Sequence, residues 1–161
     1  SLSLSAPLFQ MSDDHCVICA FSSTSTAATV SIFALSGATP NPLAPIIQAS
    51  PSANQVQTAW RDDSGTSITL TNAYTLGEVC VVSARKSGSQ RQARKNGVVG
   101  GTSTTAMGPT TLTEATIGSW SVPSFHQGSI YPVIAIKGTV SDSDLLTLER
   151  FVGQLSGVTG I

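Results

Sequence analysis

Apolar and polar residues alternate in short bursts along this chain: Leu2-Ser3-Leu4-Ser5, then Thr29-Val30-Ser31-Ile32-Phe33-Ala34-Leu35, then Ser67-Ile68-Thr69-Leu70-Thr71. A period of two puts successive side chains on opposite faces, so these bursts predict half-buried strands. Denser apolar runs at Cys16 to Phe21, Val79 to Val82 and Ile130 to Ile136 predict strands covered on both faces, which should form the core. Between them lie turn-rich stretches, Ser36 to Pro42, Arg61 to Gly65 and Lys95-Asn96-Gly97. Asp63-Ser64-Gly65 and Asn96-Gly97 suit hairpin loops, because Asn and Gly tolerate the positive φ of tight hairpin turns. Strands and turns recur about every 8 to 15 residues with no helix between them, the rhythm of an antiparallel sandwich or barrel.

One segment departs from that rhythm. Ser141-Asp142-Ser143-Asp144 places a hydroxyl and two carboxylates where a helix start exposes unbonded amides and a positive dipole end. Leu145, Leu148, Val152 and Leu155 follow at helical spacing, and Gly157 can close the helix in a left-handed conformation. The expectation is a short amphipathic helix whose leucine face covers an open end or edge of the sandwich.

Composition narrows the classes. At 161 residues the chain suits a single domain over 1–161. Charged residues are only 11% whereas Ser and Thr together number 43, so exposed surfaces are polar through hydroxyls. A net charge of −1 supplies no general attraction to nucleic acid or anionic membrane, and neither partner is expected. The apolar runs are far shorter than a membrane-spanning helix requires. The chain starts at Ser1 without a signal-peptide pattern, so the expectation is a piece of a longer polypeptide.

The order of parts in residues 78 to 161 carries a resemblance. It runs through the Asn96-Gly97 hairpin, Ile117-Gly118 at a strand end, the strand from Gly128-Ser129-Ile130 to Ile136, then Val140-Ser141-Asp142, Leu148-Glu149-Arg150-Phe151 and Gly157-Val158. This succession resembles the end of concanavalin A-like lectin/glucanase domains, especially the laminin G-like modules of bacteriophage virion proteins. The resemblance implies an all-β, antiparallel jelly-roll β-sandwich (concanavalin A-like) with one short C-terminal helix. It also implies a lectin-like module of a tail fibre or spike, located in the virion, with other virion proteins or host-surface polysaccharide as partners and homo-oligomers as an option. The alternative is a structural capsid or tail decoration domain without sugar binding; a glycan hydrolase comes third.

Glucanases of this kind carry alternating carboxylates on a strand, since retaining hydrolysis sets two carboxyl groups about 5 Å apart. None of the nine acids here forms that pattern, so no catalytic residue and no enzyme activity are expected. Cys16-Val17-Ile18-Cys19 has zinc half-site spacing, but on a strand the two thiols face opposite ways, so buried free thiols are expected. Asp13-Asp14 and Asp62-Asp63 could serve Ca²⁺ but suit turns and strand ends better. No metal or cofactor is assigned.

Two groups remain as candidate binding residues. Aromatic faces stack on sugars while Arg and His hydrogen-bond hydroxyls, which singles out Trp60, Arg61, Trp120 and His126 as a glycan site, although core packing is the commoner role for such Trp. Five of the eight cations, Arg85, Lys86, Arg91, Arg94 and Lys95, fall in one hairpin. They are expected to be solvated charges that discourage edge pairing, with an anion or partner patch as the alternative.

Overall fold

In the computed structural model, which describes residues 2–4, 8–26, 29–37, 43–118 and 126–161, the alternating bursts become strands of two antiparallel sheets. The strands are β1 (Leu2–Leu4), β2 (His15–Ser23), β3 (Val30–Gly37), β4 (Leu43–Ser50), β5 (Gln55–Arg61), β6 (Ser67–Ala73), β7 (Cys80–Ser87), β8 (Gln90–Lys95), β9 (Val98–Ser103), β10 (Leu112–Ile117) and β11 (Gly128–Lys137). Their order is β1-β10-β3-β4-β5-β6 in one sheet and β11-β2-β7-β8-β9 in the other. The C-terminal helix α1 spans Asp142–Ser156.

The main core lies between the sheets. Val17, Cys19 and Phe21 of β2 and Val82 and Ala84 of β7 meet Phe33 and Leu35 of β3 and Val56 and Trp60 of β5. The alternate residues of β2, Cys16, Ile18 and Ala20, join Val81, Val140, Leu145 and Val152 in a second cluster on the outer side of the five-stranded sheet. Strand β2 is thus apolar on both faces because both are covered, as its unbroken run predicts.

Helix α1 therefore covers a sheet face, packing on β2, β7 and β11, where an open end or edge was expected. The physical reason is the outward row Cys16, Ile18 and Ala20, which without the helix would be an apolar stripe in water. The caps form as expected. Ser141 Oγ accepts from the Asp144 amide at 3.1 Å, and Gly157 takes a φ of 78° with its N–H bonded to the Gly153 carbonyl.

Turn chemistry fixes the hairpins that shape the sandwich ends. Asn96 and Gly97 have φ of 48° and 78° between β8 and β9, matching a two-residue hairpin turn. Between β5 and β6, Asp62 Oδ1 accepts from Ser64 Oγ at 2.6 Å and from the Thr66 amide at 2.9 Å. On one side the two sheets approach through β6 and β9. A Cβ at Gly100 would stand 1.6 Å from Asn72 Oδ1, so a larger residue there would displace the Asn72 side chain.

Candidate functional site

Trp60 sits in β5 in phase with Val56 and is fully buried in the core. Its Nε1–H donates to His15 Nε2 at 3.0 Å, which ties β5 to β2 across the sandwich. That bond requires the proton of neutral His15 to sit on Nδ1, which faces the Asp13 carbonyl at 2.8 Å. Phe9 stacks on the imidazole with ring centroids 4.3 Å apart. Burial, with Lys86 and Arg91 nearby, lowers the His15 pKa to about 4. A tryptophan without solvent exposure cannot stack on a sugar, so the glycan role expected of Trp60 is replaced by a core role.

Arg61 and His126 do not gather around it. Arg61 lies beside Trp60 in β5, so its side chain leaves from the opposite face, paired across the strand with Ser67. His126 packs edge-on against Phe21 at 6.2 Å, and burial lowers its pKa. Trp120 lies outside the described residues.

The five hairpin cations do not form one patch either, because residues adjacent on a strand point to opposite faces. Arg85 and Arg94 lie on the side of β7 and β8 that α1 covers. Arg85 pairs with Asp142 at 2.6 Å and donates to the Val140 carbonyl at 3.1 Å. Arg94 pairs with Glu149 at 3.2 Å, and Ser83 Oγ donates to the other oxygen of that carboxylate at 2.6 Å. Glu149 is itself buried on the helix, and loss of hydration pushes its pKa up. Lys86, Arg91 and Lys95 belong to the opposite face. Lys86 pairs with Asp14 at 3.2 Å, and Lys95 with Glu78. Four of the five are less than 9% exposed, so neither solvated charges nor a surface patch describes them.

Arg91 is different. It is 4% exposed, its Nη1 donates to the Thr105 carbonyl at 2.9 Å, and its buried Nε, like that of Arg94, has no acceptor. No carboxylate among the described residues forms an ion pair with it, and burial lowers its pKa. Arg91 and its cross-strand neighbour Lys86 help line a cleft of about 250 Å³, together with Ser12, Gly88, Ser89 and residues 105–108.

The cleft walls are held by carboxylates that are already occupied. Asp14 accepts from the Gly88 amide at 2.8 Å and from Thr139 Oγ1 at 2.9 Å. Asp62 accepts from the Gly108 amide at 2.7 Å, and Asp63 from the Thr111 amide at 3.1 Å. These bonds pin the β7–β8 turn and the segment between β9 and β10. Sequence reasoning missed the second wall, since residues 104–111 carry no periodic or motif signal.

A larger hollow of about 470 Å³ lies between Arg150 and Gln154 of α1 and residues 157–161. Its one charged wall residue, Arg150, donates from Nε to the Ile161 carbonyl at 2.8 Å. Unlike Arg91, Arg150 is exposed, so its charge keeps its hydration.

The remaining acids are also engaged: Asp13 with Lys137 at 2.9 Å, Glu114 with Ser36 Oγ at 3.2 Å, and Asp144 with Ser141 Oγ at 2.6 Å. Cys16 and Cys19 fall in the two different clusters, on opposite faces of β2, and burial raises the pKa of Cys16 and Cys80 to about 12. Among the described residues no three His, Cys, Asp or Glu side chains come together as a metal site.

No protein-family model matches the chain, and no curated protein matches it in sequence. Solved structures do. The CBM40 module of Ruminococcus gnavus IT-sialidase, bound to α2,3-sialyllactose, superposes with a TM-score of 0.69 at 14% identity, covering 85% of this chain and 83% of that one. The botulinum neurotoxin serotype G binding domain gives a TM-score of 0.66 at 6% identity over 88% of this chain and only 37% of its own. Trypanosoma rangeli sialidase gives 0.65 at 13% identity, and this chain spans 23% of that enzyme. At such identities the likeness is one of fold: this chain is an antiparallel β-sandwich built like those found in carbohydrate-binding modules, closed on one face by a helix.

Proposed function

We propose that this chain is a non-catalytic, lectin-like module that holds glycan without cleaving it. The observation that carries the reading is the match, nearly end to end on both sides, with a CBM40 module bound to a sialylated sugar. The carboxylates are consistent with it, because each of the nine meets a cation, a hydroxyl or a backbone amide. A retaining hydrolase needs two carboxyl groups about 5 Å apart facing one glycosidic bond. The setting we propose is an appendage of a bacteriophage virion recognising a host-surface glycan, which rests on the ordered resemblance of residues 78 to 161. Arg61 and Trp120 stay in the proposal as further sugar contacts.

The test is a glycan array that includes bacterial surface polysaccharides, probed with the intact chain. Saturable binding without release of reducing ends supports the reading, and absence of saturable binding overturns it. A second reading, a structural subunit contact, is favoured by Val98 and Val99, which are 69% and 49% exposed on edge strand β9. Sedimentation that finds a stable oligomer, broken by charged residues at those two positions, supports that alternative.

A further inference from the structure

We infer that the cleft between the β7–β8 turn and residues 105–108 binds the carboxylate of an acidic sugar residue, with Arg91 supplying the charge that fixes it. The inference rests on the carbohydrate-binding reading and names the ligand class and the site.

Charged side chains are almost never fully buried unless paired, since an isolated buried charge loses its hydration and gains nothing in return. The other buried cations of this hairpin obey that rule: Arg85 has Asp142, Lys86 has Asp14 and Arg94 has Glu149. Arg91 has a neutral carbonyl where they have an acid, and it lies at a cleft. A bound anion is the missing partner.

The local charge balance selects the kind of anion. Lys86 is matched by Asp14, and the Asp62 carboxylate behind the Gly108 wall is held by the Ser64 hydroxyl and the Thr66 and Gly108 amides, so Arg91 is the cation of the lining that meets no acid. A monovalent carboxylate matches it, and a guanidinium is well suited to a planar carboxylate. Around this charge the lining is mostly uncharged: the hydroxyls of Ser12, Ser89 and Thr105, with Ala106 and Met107 as apolar surface. Hydroxyls beside a small apolar wall suit a sugar ring. The volume of about 250 Å³ lies below the roughly 300–1,000 Å³ of sites that enclose drug-sized ligands, so one sugar residue enters and the rest of a chain stays outside.

Calorimetric titration of the intact chain with glucuronate, its methyl ester, glucose, acetate and sulfate tests the inference, alongside the Arg91→Met variant. Saturable binding of glucuronate, at least ten-fold weaker for the neutral ester and for glucose and lost in the variant, is the expected result. The His15 ring offers a second readout that a purely structural role of Arg91 would not move. Because Lys86 and Arg91 help hold its pKa down, a bound carboxylate raises it, as followed by imidazole proton shifts in an NMR pH titration. Array binding to neutral glycans that Arg91→Met leaves intact, with no uptake of glucuronate, would overturn the inference and leave the carbohydrate-module reading standing. Acetate and sulfate binding as tightly as glucuronate, with no glycan bound on the array, would overturn both the sugar assignment and that reading.

Discussion

Arg91 and Arg94 stand three residues apart in the same strand, both nearly buried, and face opposite sides of it. Arg94 meets Glu149, which α1 brings down between Leu145 and Val152, and the pair joins helix to sheet. Arg91 opens on a cleft and meets no acid. The difference teaches that both cations beneath the helix fasten the fold, whereas on the other face Lys86 and Lys95 have their acids and Arg91 alone is left without one among the described residues.

The helix side should respond most strongly to substitution. Glu149→Ala leaves Arg94 buried without its acid, and Arg94→Met leaves Glu149 without its cation. Each should lower the unfolding free energy by about 3–5 kcal/mol in denaturant titrations. Replacing both together, Glu149→Leu with Arg94→Met, should cost clearly less than either alone, because no orphaned charge remains.

Next comes His15, which lies within electrostatic reach of the cleft. Its folded pKa of about 4 lies below the ordinary 6.5, so the neutral ring stabilises the fold fully above pH 6.5 and loses that contribution as pH falls towards 4. The loss should reach about 3 kcal/mol. Glu149 runs the other way, since its raised pKa favours the fold as pH falls. The difference between wild type and His15→Gln across pH 4 to 6.5, measured by denaturation, therefore isolates the histidine. An unchanged difference across that window would contradict this account of the core bridge. Smaller again is Ser141→Ala, which removes the cap of α1 and should cost about 1 kcal/mol by the same measurement.

Much of the fold is written locally in the chain. Asn96-Gly97, Asp63 to Gly65, Ser141 and Gly157 each determine their own turn or cap through backbone preference and a neighbouring amide, so nothing distant is needed to read them. The two-sided burial of β2 was legible for a similar reason, since an unbroken apolar run has no face to give to water.

The site was less legible, in two different ways. Some signals were present but pointed against the expectation. Arg85 and Lys86 are adjacent on a strand and could never share a face, Trp60 is in phase with Val56, and Glu149 falls four residues after Leu145 on the inward stripe of α1. Other partnerships join positions far apart in sequence, such as Trp60 with His15, Asp62 with Gly108 and Asp14 with Thr139. Only the sheet register brings these together, and no spacing in the chain encodes it.

Arg91→Met has the smallest expected effect on stability and tests the central claim most directly. Unfolding free energies of wild type and this variant should be measured by denaturant titration, with and without saturating glucuronate. The account predicts that the variant stays within about 0.5 kcal/mol of wild type or above it, since an uncompensated charge has been exchanged for an apolar chain. It also predicts that glucuronate stabilises wild type alone, because only a ligand that binds the folded state shifts the equilibrium. A loss as large as that of Arg94→Met, or equal stabilisation of both proteins by the sugar, would contradict it.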